Sequence, residues 1–113
     1  MSLAIMIPIF NEEKHLVRVL ESALKVSPYV FIVDSQSNDK SLSIASKYDC
    51  AVLQWPAQNF ETSNWSTKLN WGIENNPFET EWIMRLDADE FISDDLAISI
   101  KSFICCSILL AVK

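Results

Sequence analysis

Apolar positions in this chain fall into short unbroken runs, separated by stretches in which they recur at helical spacing; strands alternating with helices read this way. Leu3 to Ile9 is a continuous β-type run, as in a parallel strand covered on both faces. Asn11 follows as an N-cap candidate, and Glu12 and Glu13 fall in a first turn where the helix dipole favours anions. Leu16, Val17, Leu20, Ala23 and Leu24 then form one apolar helical face, which Ser27-Pro28 breaks. Tyr29 to Val33 reads as a second strand, the polar segment DSQSND caps a helix over about Lys40 to Tyr48, and Ala51 to Trp55 reads as a third strand. After a polar loop at Gln58 to Ser63, Trp65, Leu69 and Ile73 predict a helix ending near Asn75-Asn76-Pro77. Glu81 to Leu86 is a fourth strand, and Asp94-Asp95 introduce a helical pattern of Leu96, Ile98, Ile100, Phe103 and Ile104.

That order calls for an α/β fold, a parallel sheet with flanking helices and right-handed crossovers, whose ligands bind at the carboxyl ends of the strands. With 113 residues, half of them hydrophobic, the chain supports a single core. A formal net charge of -6 and the absence of any basic stripe argue against a nucleic-acid partner. Cys50, Cys105 and Cys106 make an odd count without CxxC spacing, and His15 is the only histidine, so neither a disulfide framework nor a thiolate zinc site is indicated. A reducing, cytoplasmic setting is expected. The N-terminal MSLAIMIPIF lacks a basic n-region and runs into charged NEEKH, so it reads as a buried strand rather than a signal peptide. Phe103 to Val112 is apolar but well under the ~20 residues that span a bilayer.

Placed on this scaffold, polar residues gather at one edge: Asn11 and Glu12 after the first strand, Asp34 to Asp39 after the second, and Asp87, Asp89 and Glu90 after the fourth. In an extended segment residues i and i+2 point the same way, so Asp87 and Asp89 are expected to face one ligand, with small Ala88 leaving room. Two hard oxygen donors suit a divalent ion, Mn2+ or Mg2+, shared with a diphosphate. The single glycine, Gly72, lies inside a predicted helix, which rules out GxGxxG and P-loop cradles and makes a carboxylate-held metal the simplest way to bind a diphosphate.

The segments IMIPIFNEEKHL, VDSQSNDKS and EWIMRLDADEF, in that order, resemble the N-terminal half of family 2 glycosyltransferases, inverting enzymes of the GT-A type, Rossmann-like fold; the match runs from about Leu3 to Ser93. The stretch NFETSNWSTKLNWGIENNPFETEW looks like the subset that builds bacterial surface polysaccharide and lipopolysaccharide. The resemblance implies a UDP-sugar donor, transfer of a hexosyl group to a saccharide or lipid-linked saccharide acceptor, and allows peripheral association with the inner membrane face. Carried over by residue, it places Pro8, Phe10 and Glu12 in the nucleotide pocket, with Phe10 near the base or ribose, Asp34 at the uracil ring, and Asp87-Ala88-Asp89 as the DxD that meets the ribose and metal-bound diphosphate. Lys68 falls where relatives often carry a basic or amide side chain, and a cation there could meet a phosphate.

There are departures from the family. Gln36 stands where a glycine is common, implying a tighter or differently turned loop. Relatives are about twice this long and carry their general base beyond the DxD, so no catalytic residue is assigned. The expected organisation is a nucleotide-sugar-binding unit over residues 1–103, truncated after the DxD, and an atypical apolar end over residues 104–113. Such a half-fold leaves one sheet face with less cover.

Blander readings stand beside these. Asp87 and Asp89 also fit a solvated loop or capping cluster, Asp34 a cap of the next turn, Glu12 a first-turn charge, and Phe10 a core residue. Trp65 and Trp71 read as packing aromatics, Arg85 as the ion-pair partner of a neighbouring carboxylate, His15 as an exposed helix residue, and Cys105-Cys106 as inert packing. The rival to an enzyme is a non-catalytic nucleotide-binding remnant. Phosphatase-like and receiver-like domains want an aspartate after the first strand, where this sequence has Pro8-Ile9-Phe10-Asn11.

Overall fold

The computed structural model describes residues 2–56 and 65–111, apart from the side chains of residues 65 and 105–111. The loop expected at Gln58 to Ser63 and the packing roles expected of Trp65 and of Cys105-Cys106 therefore lie outside what is described. The elements are β1 (Leu3–Ile9), α1 (Leu16–Val26), β2 (Tyr29–Asp34), α2 (Ser41–Ala45), β3 (Ala51–Gln54), α3 (Trp65–Glu74), β4 (Trp82–Arg85) and α4 (Asp94–Ala111). Their strict alternation is the one read from the pattern of apolar runs. The four strands form one parallel sheet in the order β3-β2-β1-β4.

Every residue of β1 is buried, which explains why its sequence is continuously apolar. Its side chains divide by alternation: Leu3, Ile5, Ile7 and Ile9 join Leu16, Val19, Leu20 and Ala23 of α1 in one core, while Ala4 and Met6 join Phe31, Val33 and Trp55 in the other. Leu69 and Trp71 of α3 cover that second core, and Trp71 meets Trp55 edge-on at 5.4 Å, so the packing role read for Trp71 holds. Pro8 is tolerated in a central strand because β4 has already diverged. The β1–β4 register stops at Met6↔Arg85, and Leu86 N–H to the Met6 carbonyl is the last rung. The side of β1 on which Pro8 lacks a donor therefore asks for none.

Gly72 allows α3 to approach the sheet closely. A Cβ at this position would stand 2.6 Å from Met6 Sδ and 2.9 Å from Val33 Cγ2, so α3 can lie this near the sheet only with glycine there.

Several boundaries differ from expectation. α1 begins at Leu16 rather than after Asn11, with no acidic residue in its first turn. Asn11 adopts φ 51°, a left-handed conformation, and Glu12 to His15 form a turn in which the Glu12 carbonyl accepts from His15 and Leu16. His15 precedes the helix half-buried, and Val17, assigned to its apolar face, is 42% exposed. α2 is confined to Ser41–Ala45. In α4 the buried position is Ala97, with Ile100 and Ile104 packed against the core, whereas Leu96, Ile98 and Phe103 are exposed. Ser93 caps this helix by accepting the Leu96 N–H at 3.2 Å. The boundary expected at residue 103 falls inside α4, which continues to Ala111. Among the described residues no helix is long and apolar enough to cross a membrane.

Candidate functional site

The strand order fixes where a ligand crevice lies. The chain runs β1, β2, β3 towards one edge and then returns to place β4 on the far side of β1, so the topological switch falls between the carboxyl ends of β1 and β4. Pro8, Ile9 and Phe10 reach that edge from β1, and Leu86 to Glu90 reach it from β4.

The first wall is a pair of loops sewn together. The Asn11 N–H donates to Ser37 Oγ at 2.8 Å, Asn38 N–H to Asn11 Oδ1 at 2.9 Å, Glu12 N–H to Ser41 Oγ at 3.0 Å and Glu13 N–H to Asp39 Oδ2 at 3.2 Å. These bonds explain why no helix starts at Asn11: its side chain and the following amides are committed to the neighbouring loop. They also occupy the backbone donors that could otherwise have held a phosphate. Phe10 projects from this loop 52% exposed, while Pro8 is buried within β1 and Glu12 is half-buried.

Asp34 ends β2 completely buried. Its Oδ1 accepts from Ser37 Oγ at 2.5 Å, its Oδ2 accepts from Gln54 Nε2 at 2.8 Å, and the Ser37 N–H lies within 3.2 Å of both. Both oxygens are thus satisfied inside the protein, and the carboxylate fixes the turn that follows β2. Contact with a base would require Ser37 or Gln54 to give way. Gln36, in that turn, takes φ 59°, so the loop keeps the left-handed bend a glycine would give, with a side chain that bears the strain.

Lys68 of α3 is buried, only 5% exposed, and its Nζ donates to the Ile9 carbonyl at 2.8 Å; that oxygen also accepts the Ser35 N–H at 3.1 Å. Burial lowers the lysine pKa to about 8, partly offset by the nearby Asp34 carboxylate. Lys68 therefore links α3 to the ends of β1 and β2 beneath the crevice. Its burial was not legible from its neighbours in sequence.

At the second wall the extended geometry expected of Asp87-Ala88-Asp89 is replaced by a turn. β4 ends at Arg85, the Glu90 N–H donates to the Asp87 carbonyl at 2.9 Å, and the Asp87 N–H donates to Glu90 Oε1 at 2.9 Å, closing the loop from both ends. Ala88 is small because it is packed into the core, 4% exposed, and not to leave room for a ligand. With Ala88 inside, Asp87 is half-buried and Asp89 exposed. Arg85 Nε lies 3.4 Å from Asp87 Oδ1, the ion pair read from the sequence. The approach is off the hydrogen-bonding direction, so Oδ1, shielded from solvent, accepts no hydrogen bond. Oδ1 is thus held by the charge of Arg85 and not by a hydrogen bond, and a metal ion there would take over from the guanidinium. Among the described residues no three His, Cys, Asp or Glu side chains converge on a metal position, so Asp87 and Asp89 would have to share an ion with oxygens from a ligand and from water.

Cys50 is half-buried, and burial together with the Asp49 carboxylate pushes its thiol pKa up, away from thiolate chemistry.

The sequence profile of the family described as glycosyl transferase family 2 matches residues 4–100. The chain belongs to that family. It is similar in structure to the crystal structure of S. aureus TarS 1–349, with a TM-score of 0.72 at 24% identity over 92% of this chain and 32% of that one. The same protein in complex with UDP-GlcNAc superposes with a TM-score of 0.71 at 24% identity, over 92% and 31% of the two chains. Its complex with UDP gives 0.70 at 24% identity, over 92% and 32%. The chain thus has the GT-A type, Rossmann-like fold and spans about a third of the length of these three structures. Among curated proteins none matches the sequence.

Proposed function

We propose that this chain is the donor-binding portion of a glycosyltransferase, holding a UDP-sugar in the crevice between β1 and β4 with Mn2+ or Mg2+ on Asp87 and Asp89. The observation that carries the reading is the turn after β4, which places Asp87 and Asp89 at the switch point of the sheet with the Asp87 carboxylate held only by the Arg85 ion pair. Support comes from the family to which the chain belongs and from the UDP and UDP-GlcNAc complexes of TarS, which has the same fold. In this reading Phe10 lies against the base or ribose, Pro8 and Glu12 border the nucleotide, Asp34 holds the loop beside it, and Lys68 supplies positive potential from below. A divalent ion there would neutralise charge on the departing diphosphate.

The reaction would be an inverting displacement. An acceptor hydroxyl oxygen forms the new bond to the anomeric carbon, the bond to the diphosphate breaks, UDP leaves with the electron pair, and the hydroxyl proton passes to a base. No residue among these 113 is assigned as that base. The acceptor proposed is a saccharide or lipid-linked saccharide of a surface polysaccharide or lipopolysaccharide, reached from the cytoplasm and its membrane face. Competition between UDP and other nucleoside diphosphates, followed by calorimetry in the presence of Mn2+, tests the donor class. UDP should bind best, and equal affinity for ADP and UDP would refute the uridine assignment.

A further inference from the structure

One face of α1 runs alongside the segment that contains the two aspartates, and its contacts form a continuous stripe. Arg18 Nη2 donates to the Asp89 carbonyl at 3.2 Å, and the same guanidinium lies 4.9 Å from the centroid of the Phe91 ring. One turn on, Ser22 Oγ donates to the Val19 carbonyl at 3.0 Å and accepts the Ile92 N–H at 3.1 Å. Ser22 and Ile92 are both buried, at 8% and 4% exposure, so this bond satisfies an amide that water cannot reach. A turn further, Lys25 Nζ stands 3.8 Å from Asp94 Oδ1, an exposed pair that adds little. Positions 18, 22 and 25 thus meet residues 89 to 94 in order.

The Asp87 to Glu90 turn closes on itself through its two internal bonds, but those bonds do not fix its position relative to the sheet. Ala88 anchors its middle in the core, and Arg18 and Ser22 tie down its exit. We infer that Arg18 and Ser22 are positioning residues, which set the placement of the Asp87 and Asp89 carboxylates for a metal-bound diphosphate through the backbone of Asp89 and Ile92. The inference rests on the metal and donor reading given above. Neither side chain need touch the ligand: Arg18 binds the carbonyl of Asp89, and Ser22 binds the amide of Ile92, two residues after Glu90.

The test uses the 113-residue chain and two readouts. Mn2+ binding in the presence of UDP, read from the loss of the free-ion electron paramagnetic resonance signal, should weaken about tenfold in Arg18→Ala, the size typical of lost support behind a metal ligand. Arg18→Lys, which keeps a donor and a cation over Phe91, should recover most of this, and UDP binding without metal should be unchanged. Ordinary Mn2+ affinity in Arg18→Ala would overturn the inference. Amide exchange is read without metal: Asp89 to Ile92 should exchange faster in Arg18→Ala and in Ser22→Ala, while β1 amides keep their protection. Unchanged exchange in both variants would overturn the inference. A wild-type chain that binds no Mn2+ with UDP would refute the donor reading, and the exchange result would still decide whether α1 holds the turn.

Discussion

Substituting Gly72 by alanine puts the packing of α3 to a direct test. The added Cβ would lie 2.6 Å from Met6 Sδ and 2.9 Å from Val33 Cγ2, against ordinary carbon contacts of about 3.5–4.0 Å, so roughly 1 Å must be found at each. Met6 can swing its thioether in part, but Val33 is a β-branched residue on the strand next to β1 and is fully buried. The helix cannot simply retreat, because Trp71 is packed on Trp55 and Lys68 is bonded to the Ile9 carbonyl. Overpacking of this kind costs about 1–3 kcal/mol, while alanine recovers about 1 kcal/mol of helix propensity. With a stiff neighbour the upper part of the range applies, giving a net loss of about 1–2 kcal/mol in urea denaturation followed by circular dichroism. Met6→Ala removes one of the two clashing groups, so Gly72→Ala should cost less in that background, by about 1 kcal/mol. A Gly72→Ala chain as stable as the parent, or more stable, would refute the close approach. Additive effects in the double variant would show that Met6 does not feel the new methyl.

Asp34→Ala should destabilise the chain by about 1–3 kcal/mol, because it empties a fully buried position and takes the acceptor from the half-buried Ser37 amide and hydroxyl and from the exposed Gln54 amide, and Asp34→Asn should cost less; chemical denaturation of the two variants checks this. For Lys68, the folded pKa of about 8 lies below the unfolded 10.5, so between those values the unfolded chain binds the extra proton and stability rises with pH. The rise is at most about 3 kcal/mol, and Lys68→Met should flatten it in melts recorded from pH 7 to 10.5. Gln36→Gly should relieve the left-handed strain at φ 59° and raise stability by up to about 1 kcal/mol; a loss would mean the Gln36 side chain contributes more than the strain costs.

Much of the architecture was legible because the apolar code of a parallel sheet is strong. Leu3 to Ile9 is uninterrupted since both faces of β1 are buried, and the same logic located β2 and the order of the helices. Long-range commitments of polar groups were not legible. Asn11 has the chemistry of an N-cap, yet its side chain serves Asn38 and its backbone turns left-handed, which delays α1 to Leu16. Ala88 was read as leaving room for a ligand, because nothing local shows that it enters the core and that the segment turns out of an extended conformation. Lys68 was singled out by resemblance alone, and its burial rests on its bond to the Ile9 carbonyl, a contact between elements far apart in sequence. The face of α4 was misassigned because its apolar residues surround the helix, so periodicity could not say that Ala97 points inward and Leu96, Ile98 and Phe103 outward.

The central claim is that Asp87 and Asp89 hold a divalent ion shared with a nucleoside diphosphate. Calorimetric titration of UDP into the chain with and without Mn2+ measures it, repeated for Asp87→Asn and Asp89→Asn. Binding should be clearly tighter with Mn2+ in the parent chain, and that gain should vanish in both variants while their folding is retained. Equal UDP affinity with and without Mn2+, or a metal-dependent gain that survives Asp89→Asn, would contradict it.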